Sequence, residues 1–377
     1  MSIEMQNIAR GKKAPVWGIA AALVCGAVAT GSTVAHAGGD EGSAVYGESA
    51  SRASVALMGR PDWQSQAVLN QLKALKPKPI EKLSAAEARR QPSPPQAVKA
   101  LLMKRGQSTA PEAVGSVQNL TVPGPAGAIP VRVYKPTGNG PFPVIVYLHG
   151  GGWVIAGIQG YDASARALTN AADAMVVSVG YRMAPEHKFP AAHEDSYAAT
   201  QWIMKNAAGW GGDVNRVAIA GESAGGNLAA AVTLMARDRR GLMPIHQLLV
   251  YPIANYAFNT QSYRENAKAK PLNRPMMMWF FDKYLRTPRD GNSPYVSILR
   301  APSLSALPPA TVILAEIDPL RSEGAAYAHR LQRAGVPTVL KIYPGTTHEF
   351  FGMGAVVDKG KQAVNFAASR LKSAFAQ

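Results

Sequence analysis

The chain is poor in the residues that metal, redox and nucleotide chemistry need. It holds one cysteine, Cys25, among 377 residues. It therefore has no internal disulfide and no thiolate cluster for a metal. Its seven histidines are scattered, and no two stand at the His-x-x-x-His spacing that would put two ligands on one helical face. Neither a phosphate-cradling P-loop nor a Gly-x-Gly-x-x-Gly run occurs, so neither a metal nor a nucleotide cofactor is expected. Acidic residues are scarce, 24 against 40 Lys and Arg, for a net charge of +16. That excess favours encounter with anionic surfaces or substrates. Basic residues interleaved with aromatics, the mark of a nucleic-acid binder, are missing. No nucleic-acid partner is expected, and only a weak attraction to anionic envelope surfaces. No internal repeat is visible.

Long apolar runs are confined to the N-terminus. Arg10, Lys12 and Lys13 precede a mostly apolar stretch, residues 14–34, which ends in Ala35-His36-Ala37. A positive start, an apolar middle and a small-x-small end are the layout of an export signal cleaved after Ala37. The same stretch is long enough to leave an uncleaved membrane anchor as the alternative. A lipid attached to Cys25 would want a small residue before it, and Val24 stands there. Without residues 1–37 the chain has no cysteine and a charge of +14. The expected location is periplasmic or secreted.

The remainder is long enough for one large domain, and 47% hydrophobic residues can fill its core. Residues 38–115 form a zone of their own, with Pro-rich basic stretches at residues 76–79 and 89–96. Its first residues have the composition of a disordered segment. Short helices are expected at residues 84–90, with Ser84 as N-cap, and at residues 97–105. Two strands joined by the turn at residues 123–127 then open the main domain, residues 116–377.

The most informative stretch lies in the middle. An apolar strand, residues 217–220, runs into Gly221-Glu222-Ser223-Ala224-Gly225, and a helix-forming run, residues 228–235, follows. Strand, Gly-x-Ser-x-Gly and helix in that order describe a nucleophile elbow, in which a tight turn presents the serine. Upstream, the strand at residues 143–148 ends in His149-Gly150-Gly151-Gly152-Trp153. Consecutive glycines there leave amides free to face a developing negative charge. The assigned oxyanion donors are Gly151, Gly152 and Ala224, with His149 as an anchor of the loop.

A serine nucleophile needs a base and an acid, which follow it in the chain in this architecture. His246 lies at the wrong end of its strand, and His329 lies within a helical pattern. His348 follows the strand at residues 338–343 and is the assigned base. Asp318 follows the strand at residues 311–315 and is the assigned acid, with Glu316 as its competitor.

Four motifs then carry a resemblance. His149-Gly-Gly-Gly-Trp153, Tyr181-Arg-Met-Ala-Pro-Glu-His187, Gly221-Glu-Ser-Ala-Gly-Gly226 and Asp318-Pro-Leu-Arg321 resemble the hormone-sensitive-lipase family of α/β-hydrolases, whose bacterial members are the family IV esterases. The resemblance runs from about residue 120 to the C-terminus. It implies an α/β-hydrolase fold, a mostly parallel sheet with helices on both faces. It also implies carboxylic-ester hydrolysis with Ser223, Asp318 and His348 as the triad, and a cap formed by the later part of the N-terminal zone. Ser322 departs from the pattern, standing where an acidic residue commonly follows the Arg.

An insertion at about residues 255–306 is too long for a plain loop and is expected to add to the cap. Its run Met276-Met277-Met278-Trp279-Phe280-Phe281 reads as an amphipathic helix. Met276, Met277 and Trp279, with Trp153, are candidates for an adaptable apolar pocket wall. Plain packing against the sheet is the competing reading. The expected substrate is a small ester with a short or medium acyl chain. An amidase or deacetylase using the same triad is the alternative, and a non-catalytic binding protein on this scaffold is a second.

Overall fold

The computed structural model describes residues 59–377. The expected signal and the residues that follow it, up to residue 58, lie outside the described part. Among the described residues no helix is long and apolar enough to cross a membrane.

The N-terminal zone is more helical than its composition suggests. Helix α1 (Trp63–Ala74), capped by the Asp62 carboxylate on the Ser65 amide, was not anticipated. Helix α2 (Ala85–Ala88) starts at Ser84 in a capping box with Glu87, and α3 (Pro94–Lys104) starts at Ser93 with Pro94 in the first turn. Proline breaks a helix only inside it; at the first position its missing N–H costs nothing. That is why α3 begins three residues before the helical pattern expected at residue 97. Val68, Leu72, Val98 and Leu101 of α1 and α3 form a small cluster with Met353, Val356 and Val357. Ile80, Ala85 and Ala88 belong instead to the main core.

Strands β1 (Ser116–Gly124) and β2 (Gly127–Lys135) form a hairpin, followed by β3 (Phe142–Leu148). Then come α4 (Asp162–Ala172), β4 (Met175–Val179), α5 (Ala191–Asn206) and β5 (Gly212–Glu222). Helix α6 (Ala224–Asp238), β6 (Gln247–Val250), α7 (Gln261–Glu265), α8 (Arg274–Tyr284) and β7 (Ala310–Ile317) follow. The chain closes with α9 (Arg321–Arg333), β8 (Thr338–Thr347) and α10 (Asp358–Phe375).

The strands make one eight-stranded sheet in the order β1-β2-β4-β3-β5-β6-β7-β8. Only the β1–β2 and β2–β4 pairings are antiparallel. Every residue of β4 and β6 is buried, so both faces of the sheet are covered. Helix α4 packs on α10, α5 on α6, and α9 on β7. Parallel strands all end at the same edge. That edge therefore carries the glycine loop after β3, Ser223 after β5, Asp318 after β7 and His348 after β8. Four distant segments of sequence meet there because the sheet aligns them.

Candidate active site

Ser223 sits between β5 and α6 with φ 56° and ψ −117°. This left-handed backbone is costly for a residue with a side chain, and it persists because its surroundings fix it. The Ser223 amide donates to the Val250 carbonyl at 2.9 Å, and its carbonyl accepts from Asn227 at 3.0 Å. At Gly225 a side chain would collide with the backbone of Leu148 and His149, so only glycine lets the helix start this close to β3.

The structure brings the three assigned residues together. His348 Nε2 lies 3.0 Å from Ser223 Oγ, and His348 Nδ1 lies 2.7 Å from Asp318 Oδ2. Asp318 is fully buried, and its other carboxylate oxygen accepts from the Leu320 amide at 2.9 Å. With Nδ1 donating to Asp318, Nε2 is left to accept the serine proton. Burial alone would depress the His348 pKa. The Asp318 charge and hydrogen bond, then the Glu349 and Glu222 charges, outweigh it and hold the imidazole above its ordinary value. Strand β8 runs on to Thr347, past the end expected at residue 343, so His348 projects straight from the strand's end.

Glu316, the competing acid, accepts from the Gly345 amide at 2.6 Å and does not reach His348. His246 stands just before β6, at the end of that strand away from the elbow, and hydrogen-bonds Thr311 at 3.0 Å, and His329 is exposed on α9. His149 stacks on Tyr181 with ring centroids 4.2 Å apart, and burial lowers its pKa to about 4. Tyr181 donates its hydroxyl proton to the His149 carbonyl at 2.8 Å. The neutral ring is a strut for the loop that carries the glycines. Ser322, the departure from the family pattern, exchanges hydrogen bonds with Ser262 at 3.0 Å and ties α9 to α7.

Gly151 and Gly152 line the cavity beside Ser223, with φ of 97° and 58°. A side chain on Gly152 would enter the Phe280 ring. Among the described residues the amides of Gly151, Gly152 and Ala224 donate to no backbone acceptor outside regular helices and strands. Three free donors around one serine suit an oxyanion.

The cavity at the serine has a volume of about 80 Å³, and its walls include Ile155, Leu272, Met276, Met277, Phe280 and Glu349. Pro94, from the N-terminal zone, also borders it. Of the four wall candidates, Met276 and Met277 border this cavity and Trp153 and Trp279 do not. Trp153 is completely buried and stacks on Tyr284, 4.3 Å between centroids and 8° from parallel. Trp279 is turned toward the N-terminal zone, where its indole N–H donates to the Leu83 carbonyl at 3.1 Å. That hydrogen bond holds the Trp279 indole against the N-terminal zone and away from the cavity. Phe280 and Leu272 were missed because only their position, not their type, distinguishes them from core residues. A larger cavity of about 630 Å³, bordered by Val98, Leu102, Arg166 and Lys361, is not lined by any of the three assigned residues.

Comparison with known proteins decides the family. A family profile described as alpha/beta hydrolase fold matches residues 145–352, more than half of the chain. The chain belongs to the hormone-sensitive-lipase-like family of α/β-hydrolases, the family IV carboxylic-ester hydrolases. It is 42% identical over 243 residues to the carboxylic ester hydrolase LipN of Mycobacterium tuberculosis, a match covering 63% of this chain and 65% of LipN. It is 32% identical to the ethyl acetate hydrolase of Pseudomonas putida over 78% of this chain and 92% of that enzyme. Among solved structures, a hyperthermophilic esterase from Pyrobaculum calidifontis superposes with a TM-score of 0.76 at 38% identity, over 84% of this chain and 99% of that one. An α/β-hydrolase enzyme from the metagenome of Lake Arreo gives the same TM-score at 35% identity, over 85% and 100%.

Proposed function

We propose that this protein is an exported serine esterase that hydrolyses small carboxylic esters of short to medium acyl chain through an acyl-enzyme. The observation that carries the reading is the continuous line of hydrogen bonds from Ser223 Oγ through His348 to the buried Asp318. His348 takes the proton as Ser223 attacks the ester carbonyl, and the amides of Gly151, Gly152 and Ala224 receive the oxyanion. Asp318 holds the imidazole in the tautomer with Nε2 free and stabilises the imidazolium. The alcohol leaves with the proton from His348. Water then attacks the acyl group on Ser223, with His348 as base again, and the carboxylic acid departs.

A cavity of about 80 Å³ is small beside the roughly 300–1,000 Å³ of pockets that enclose drug-sized ligands. It supports acyl chains close to acetyl. The ethyl acetate hydrolase among the relatives is named for such a substrate. In this reading the N-terminal zone and the insertion at residues 255–306 cap the site, residues 1–37 direct export, and the excess of positive charge draws the enzyme weakly to anionic envelope surfaces. The test is a panel of p-nitrophenyl esters from acetate to palmitate with matching anilides, on wild type and Ser223→Ala. The expected profile is highest on the shortest esters, low on anilides, and lower by about a million-fold without the serine hydroxyl. A preference for anilides would make the protein an amidase, and an optimum at palmitate would contradict the small pocket.

A further inference from the structure

A fully buried glutamate, Glu222, and a partly buried one, Glu349, stand by the His348 imidazole, and the mechanism above uses neither. Glu222 precedes the nucleophile and is fully buried, accepting hydrogen bonds from the hydroxyls of Tyr147 and Tyr251. Glu349 follows His348, has a backbone φ of 71° and borders the cavity at the serine. The Tyr161 hydroxyl donates to Glu349 Oε1 at 2.6 Å, and that same oxygen lies 3.8 Å from His348 Nε2. The Tyr251 ring packs on the imidazole, 4.5 Å between centroids.

Around the imidazole, then, stand Asp318 from the end of β7, Ser223 from the elbow, Tyr251 from the end of β6, Glu222 from the end of β5 and Glu349 beside it. Tyr161 reaches in from the turn before α4. Among the described residues neither glutamate is ion-paired to a lysine or arginine; Glu349's one charged partner is His348. The methionines and Phe280 on the opposite wall bring no charge.

We propose that Glu349 is a second acidic partner of His348, a positioning residue whose carboxylate, with Glu222 behind it, holds negative charge against the Nε2 side of the imidazole and favours its charged form. The proposal rests on the reading of His348 as the general base. Asp318 addresses the ring from Nδ1, whereas Glu349 addresses the nitrogen that receives the serine proton. Negative charge there opposes the desolvation that would otherwise keep a fully buried imidazole neutral. Burial, together with each other's charge in the case of Glu222, raises the glutamates' own pKa values, Glu222 to about 7, so the two acids do not both ionise freely. The tyrosine hydroxyls fix the two carboxyl groups in place, and Glu222 adds most of its charge only above about pH 7, which leaves Glu349 as the main partner across the acid limb.

The experiment is the pH profile of kcat/KM for p-nitrophenyl acetate, from about pH 5 to about pH 9, on wild type, Glu349→Gln, Glu349→Asp, Glu222→Gln and His348→Ala. The acid limb of kcat/KM reports the free enzyme's base. Removing negative charge lowers that base's pKa, so Glu349→Gln should move the limb to lower pH by about one unit and reduce the plateau about tenfold. Glu349→Asp keeps the charge and should restore the limb. Glu222→Gln should shift it in the same direction by less, and it serves as the second probe should Glu349→Gln fail to fold. Profiles for Glu349→Gln and Glu222→Gln that superimpose on wild type after scaling would overturn the proposal, since a merely structural role lowers the rate without moving the limb. Full activity in His348→Ala would instead remove the reading of the base on which the proposal stands.

Discussion

At the scale of single residues, two carboxylates two positions apart at the end of β7 have opposite employments. Asp318 faces the imidazole from complete burial, while Glu316 turns back to hold the Gly345 amide at 2.6 Å. Residues i and i+2 of an extended strand share a face, but the register shift between Ala315 and Ile317 breaks that alternation. Asp318→Asn should therefore lower turnover by about ten-thousand-fold, because the amide no longer selects the working tautomer. Glu316→Gln should stay within about threefold of wild type, since an amide oxygen can still accept from Gly345. Steady-state kinetics on the two variants decides the matter, and a dead Glu316→Gln beside an active Asp318→Asn would reverse the roles. The serine, histidine and aspartate were readable in the sequence because chain order and strand ends restrict the choice. Trp153 and Trp279 were misread because residue type alone cannot say whether an aromatic ring faces a pocket or the core.

At the scale of elements, α8 divides its labour between two surroundings. Met276, Met277 and Phe280 border the cavity, whereas Met278 is exposed and Trp279 reaches Leu83. Replacing Met276 and Met277 with alanine should lengthen the pocket and move the chain-length optimum toward longer acyl groups, with acetate hydrolysis less affected. Met278→Ala should leave the profile unchanged. A series from acetate to palmitate at concentrations below micelle formation tests this, and an unaltered profile in the double variant would return both methionines to plain packing. The strands and the helices that flank the elbow were legible from apolar runs and turn residues. Helix α1 was not, because its buried residues Val68 and Leu72 are few and their partners lie in other segments, Val98 and Leu101 of α3 and the distant Met353, Val356 and Val357. A helix held mainly by such tertiary packing leaves little periodic trace in its own sequence.

At the scale of the whole molecule, buried histidines and buried carboxyls make opposite demands on pH. Burial lowers His149, His193 and His246 to about 4 from an ordinary 6.5. The unfolded chain binds more protons at these sites, so each removes stability as pH falls from 6.5 toward 4. Glu222 is raised to about 7 from 4.5, so the folded chain binds its proton more tightly and gains stability as pH falls from 7 toward 4.5. Glu222→Gln removes that compensation. Its unfolding free energy from urea titration should fall more steeply than that of wild type between about pH 7 and about pH 5, by at most about 1.4 kcal/mol per pH unit. Parallel curves for the two proteins would mean that Glu222 titrates alike in both states. The central claim, that one serine per molecule carries the acyl group, is tested most directly by stoichiometric reaction with a p-nitrophenyl phosphonate ester. The account predicts release of one p-nitrophenolate per chain, loss of esterase activity in step, and an adduct on the peptide containing Ser223. Full esterase activity in a protein modified at Ser223, or an inactivating adduct on any other residue, would contradict it.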